Sequence, residues 1–179
     1  MDTTKNIRPL DYVLTAAMVA LGVFIGVENV TAGPNADVAH PLDSHSPLIV
    51  AVFIVAALPI LWRRRHILAA VGVSTVVLAI SLPAFGWITR CGFALPLSVA
   101  MAYAVARFAG SRRHQVVGLV GILAHQVLTL VHDSSTGGLN ALAISVPAAA
   151  ICYGTGLLVQ RGARSTAEPT LSSAEHVHA

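Results

Sequence analysis

Long apolar runs separated by short polar breaks dominate this chain. Crossing about 30 Å of hydrocarbon takes a run of roughly 17–25 predominantly apolar residues. Six runs of about that length occur: Leu10–Val30, Pro47–Trp62, Ile67–Ala84, Gly92–Gly110, Val116–His132 and Ala141–Val159. None alternates strictly, as a membrane β-strand would. An open sheet would leave backbone groups unpaired in lipid. The pattern therefore predicts helices. Pro83 and Pro96 interrupt the third and fourth runs. Between the basic clusters, Ile67 to Ala106 would form about 60 Å of helix at 1.5 Å per residue, which is two crossings. The segment Phe85–Cys91 is then the turn between them. The expected fold class is all-α, a polytopic membrane protein of six transmembrane helices. The membrane domain is expected over residues 1–162. A disordered cytoplasmic tail, polar and rich in Ser and Thr, is expected over 163–179.

Charge orients this layout. Only 11% of the 179 residues are charged and 55% are hydrophobic, whereas a soluble domain carries about 25% charged residues. That scarcity excludes a soluble globular enzyme, a disordered chain and a nucleic-acid binder. Lys5, Arg8, Arg63, Arg64, Arg65, Arg107, Arg112, Arg113, Arg161 and Arg164 all fall on one side of a six-span layout, and only Arg90 falls on the other. The positive-inside rule places that basic side, and both termini, in the cytoplasm. The expected location is a bacterial inner (plasma) membrane. Tyr12 and Trp62 then anchor the inner interface and Trp87 the outer one. The first run has a rival reading as a signal peptide ending near Val30-Thr31-Ala32. Its apolar stretch is longer than the usual 7–15 residues of such a segment.

Few polar residues are left for chemistry. Ionisable groups inside a membrane are functional candidates by default. His125 lies near the middle of the fifth run, and Thr129 and His132 follow at i+4 and i+7 on one face. This stripe, with Glu28 near the outer end of the first run, is the candidate ligand- or pH-sensing set. The rival reading is a neutral histidine hydrogen-bonded to a neighbouring helix. Asp37, His40, Asp43 and His45 form a mixed nitrogen and oxygen set in the first outer loop. Such groups suit a divalent metal or titration with external pH, but their spacing matches no zinc motif. Gly22 and Gly26 form a GxxxG that lets backbones approach closely, and Ala16 and Ala20 are expected to extend that face. It would serve internal packing or a dimer contact. Cys91 and Cys152 lie too far apart to pair. The sequence contains no P-loop, GxSxG or HExxH motif. The reading is a non-enzyme with no cofactor and no nucleic-acid partner.

Arg8-Pro9-Leu10-Asp11 enters the first helix and Trp62-Arg63-Arg64-Arg65 closes the second. Tyr103-Ala104-Val105-Ala106-Arg107 precedes the basic turn at Arg112-Arg113, and Gln160-Arg161 ends the last run. This resembles the N-terminal membrane module of actinobacterial sensor histidine kinases, over roughly Arg8 to Arg161. The arginine triplet of those kinases is often followed by proline, where this chain has His66-Ile67. The resemblance implies a sensory or regulatory membrane module without phosphotransfer, because no nucleotide-binding motif follows and His176 and His178 lie in no phospho-acceptor context. It would work in the lipid bilayer by helix association, as a homodimer or with a partner membrane protein. The alternative is a small transport subunit of the vitamin-transporter substrate-binding type, with a pocket of Glu28, His125 and Tyr153. A membrane redox protein is a third reading. Bis-histidine haem would need a second buried histidine, and His66 and His114 sit at helix ends.

Overall fold

Pro9 opens the first helix where its missing N–H costs nothing. The Asp11 carboxylate, three residues past the N-cap, accepts the Arg8 backbone N–H at 3.0 Å. From there the computed structural model is helical almost throughout, and it describes residues 8–33, 36–135 and 137–165. The helices are α1 (Pro9–Thr31), α2 (Leu48–Ala57), α3 (Ile67–Phe85), α4 (Cys91–Phe108), α5 (Arg112–Val131) and α6 (Leu142–Ser165). Short 3-10 segments extend α2 over Leu58–Trp62 and precede α6 over Gly138–Ala141. Among the described residues there is no strand, and extended pairing is confined to one bridge between Ile88 and Asp133.

Five stretches are long and apolar enough to cross a membrane: Pro9–Thr31, Ile67–Phe85, Cys91–Phe108, Arg112–Val131 and Gly138–Gly162. The second expected span, Pro47–Trp62, differs. Its α-helix stops at Ala57, and Pro59 stands in the first turn of the 3-10 continuation, where its missing N–H breaks the α-helical ladder. The last helix runs to Ser165, past the expected boundary at 162. The remainder of the expected tail, 166–179, lies outside the described residues.

α4 is the centre of the packing, touching α1, α3, α5 and α6. Its Phe93, Ala94, Leu97 and Ala102 are fully buried. Gly22 and Gly26 let α1 approach α2 and α4. A Cβ on Gly22 would meet Phe53 and Phe93, and one on Gly26 would lie 2.9 Å from the Val50 Cα. Phe53 and Phe93 stack there at 4.9 Å between centroids. The GxxxG is thus an internal seam. Ala16 and Ala20 do not extend it, because both are exposed on the far side of α1. At 100° per residue, Ala16 and Gly22 stand about 120° apart around the helix.

Candidate functional site

The end of the bundle away from the arginine clusters is organised by one buried cation. Arg90, just before α4, is 0% exposed. A guanidinium offers five N–H donors, and here each has an acceptor. Nε donates to Ser81 Oγ at 3.2 Å. Nη1 donates to the carbonyls of His132 at 2.7 Å and Ile88 at 3.5 Å. Nη2 donates to the carbonyls of Ser81 and Gly86, both at 3.0 Å. Ser81 and His132 lie near the C-terminal ends of α3 and α5, where the helix dipole favours a positive charge. Burial pushes the guanidinium down from its ordinary value to about 10, with Asp133 opposing the shift, so it stays charged at neutral pH.

Asp133 supplies the complementary anion. Its Oδ2 accepts the backbone N–H groups of Arg90 and Cys91, each at 2.6 Å, and its Oδ1 accepts that of Ser135 at 2.9 Å. A carboxylate is thereby set at the positive N-terminus of α4. The turn between α3 and α4 is held from two further sides. Asn29 of α1 donates to the Thr89 carbonyl and accepts the Thr89 N–H, both at 2.8 Å. Asp43 accepts the Trp87 N–H at 2.8 Å and donates its own backbone N–H to the Trp87 carbonyl at 2.9 Å. The Ala39 N–H donates to the Ser134 carbonyl and the Ser134 N–H to the Ile88 carbonyl. Segments from all three connections at this end are therefore linked.

On this frame the His40 ring lies tilted against Trp87 at 4.1 Å between centroids, and Trp87 tilted against His132 at 5.2 Å. A cavity of about 300 Å³ opens beside them, lined by His40, Trp87, Leu130, Asp133, Ser135 and Asn140 among others. In the segment that walls it, His132 Nδ1 and Ser134 Oγ are buried without a hydrogen-bond partner. Unpaired buried polar atoms are uncommon and costly, and two of the four among the described residues lie in this segment, the others being His125 Nε2 and Ser145 Oγ.

Two more polar groups lie deeper. Thr75 Oγ1 donates to the Val71 carbonyl at 2.8 Å and lies 3.2 Å from His125 Nδ1. That network assigns the proton to Nδ1. Nε2 is buried without a hydrogen-bond partner. Gln126 donates to Ser98 Oγ at 2.9 Å. At the opposite end, fully buried Asp11 binds Arg63 Nη2 at 2.7 Å and Arg64 Nε at 2.6 Å. Arg64 also lies over the Phe108 ring at 4.9 Å.

The residues singled out from sequence are brought together only in part. His125 and Thr129 are buried as neighbours, with Thr129 Oγ1 donating to the His125 carbonyl. His132 leaves their stripe because α5 ends at Val131, and its ring turns to Trp87. Glu28 is exposed, beside a cavity of about 260 Å³ that Asp37 also lines. It joins neither histidine. The loop residues Asp37, His40, Asp43 and His45 do not converge. Asp43 is taken by the Trp87 backbone, His40 by the Trp87 ring, and His45 lines a separate cavity with Pro41. No group of three or more metal-ligating side chains occurs among the described residues. The pocket expected of a transport subunit is likewise not assembled. His125 pairs with Thr75, and the Tyr153 hydroxyl donates to Gln115 Oε1 in the first turn of α5.

Sequence reasoning missed Arg90, Asp133, Asn29 and Asp11 as structural centres. The available signal was the solitary Arg90 on the otherwise acidic side, with Asp133 directly after the fifth run. No family model matches the chain, no curated protein matches its sequence, and no solved structure matches its fold.

Proposed function

We propose that the chain is a six-span inner-membrane protein of sensory or regulatory type, with both termini cytoplasmic. It would be related in kind to the sensor-kinase input modules it resembles. Six crossings require α2 to serve as a span. With its 3-10 continuation it reaches roughly 25 Å, from rises of about 1.5 and 2.0 Å per residue. That is a mismatch a bilayer absorbs by local thinning. The Arg63–Arg65 and Arg112–Arg113 turns then face the cytoplasm together.

The linkage of the outer-end cavity to the Arg90 network carries the sensory reading. A solute entering beside Trp87 would displace the Trp87 and His132 rings. The His132 carbonyl is an Arg90 acceptor, so that displacement is transmitted to the ends of α3, α4 and α5. The output is altered packing against a second copy or a partner membrane protein. Cross-linking in native membranes and sizing in mild detergent test this directly. A dimer or a defined complex is expected, with its yield changed by His132→Ala. A strictly monomeric, partner-free particle contradicts the proposal.

A further inference from the structure

The arginine end of the bundle holds a second cavity that the sensory reading does not use. It is a groove of about 570 Å³ between α1, α4 and α6, larger than the cavity beside Trp87. Its walls are apolar, among them Leu10, Val13, Ala17, Val99, Ala100 and Cys152. The one charged side chain lining it is Arg63. Leu10 and Val13 are more than 60% exposed, so the groove opens sideways from the bundle. Leu10 to Ala17 on α1 spans about 10 Å, as does Tyr103 to Pro96 on α4. The groove therefore runs from the arginine end toward the middle of the membrane.

Charge identifies the occupant. The buried clamp sets two guanidiniums, Arg63 and Arg64, against the single Asp11 carboxylate. One positive charge is left in excess at the groove's inner mouth. Arg8, exposed at the N-cap of α1 two residues before the lining residue Leu10, adds another charge at the same end of the helix without itself lining the groove. Water does not fill an apolar groove in hydrocarbon, whereas an acyl chain does. Guanidinium groups bind phosphate oxygens through charge-assisted hydrogen bonds. Basic pockets between transmembrane helices on the cytoplasmic side suit anionic headgroups. We infer that this groove is a binding site for one anionic phospholipid, an acyl chain lying between α1, α4 and α6 and its phosphate against Arg63 and Arg8. This inference rests on the membrane reading but not on the sensory one.

Native mass spectrometry of the full chain, titrated after delipidation with chain-matched phosphatidylglycerol or phosphatidylcholine, tests it. Phosphatidylglycerol should bind at least tenfold more tightly. Filling the groove with Ala17→Phe and Ala100→Phe should remove that preference, whereas Arg112→Gln with Arg113→Gln, away from the groove, should keep it. If the double filling variant loses its helical circular dichroism, Ala17→Phe alone, on an exposed position, gives the same readout. Equal binding of the two lipids, or a preference that survives filling of the groove, overturns the inference. Release of the chain from membranes by alkaline carbonate would instead defeat the membrane reading itself.

Discussion

Arg90 and Asp11 are the two side chains whose environment departs most from what their neighbours in sequence suggest. Both are fully buried, and each is stabilised by groups far along the chain. Arg90 uses carbonyls of Ser81 and His132, and Asp11 reaches 52 residues to Arg63. Hydropathy and the inside–outside bias of basic residues are local properties, so they located these charges without revealing their partners. Arg90 counted only as the exception to the charge rule, and Asp11 only as a helix entry. A buried ion pair that loses one partner leaves an uncompensated charge. Asp11→Ala should therefore cost roughly 3–5 kcal/mol. Arg64→Ala should cost much less, because Arg64 keeps 22% of its side chain exposed and Arg63 still satisfies Asp11. Thermal unfolding of the two variants in one detergent gives the comparison. Equal loss in both would show that the buried partner is not the critical one.

At the level of helices, much was legible. The apolar runs mark all six helices because lipid leaves the backbone no other satisfied state. Their ends were less legible. α5 begins at Arg112, taking the basic residues into its first turn, with Ser111 accepting the His114 N–H. α2 changes to 3-10 geometry at Leu58, just before Pro59, a signal that hydropathy does not weigh. The GxxxG was legible as a close-packing seam, but not which helix it meets. That seam yields a contrast. On Gly26 a side chain would run into the Val50 backbone, which cannot rotate away, whereas Gly154 has nothing within 4 Å. Gly26→Ala should destabilise by about 1–3 kcal/mol through overpacking. Gly154→Ala should be neutral or slightly stabilising, since alanine favours the helix. Unfolding midpoints that move together would argue against α1 and α2 meeting at this seam.

For the whole molecule, the sequence pattern accounts for the all-helical bundle and for the gathering of basic residues. Asp11 ties the start of α1 to Arg63 and Arg64, Arg64 lies over Phe108 at the end of α4, and Tyr153 reaches the start of α5. The cavity beside Trp87 was not legible, because it forms only where three connections meet. His40, Trp87 and Asp133 are 47 and 46 residues apart along the chain. What is proposed for that cavity depends on α2 crossing the membrane, which sets the two ends of the bundle on opposite sides. Cysteine accessibility in a Cys91→Ser, Cys152→Ser background measures this while leaving every arginine in place. Six crossings predict that Asp37→Cys and Leu139→Cys react with a membrane-impermeant maleimide in intact cells. His66→Cys and His114→Cys should react only after lysis. Labelling of Asp37→Cys and His66→Cys from the same side would contradict six crossings, and with them the proposed outer site.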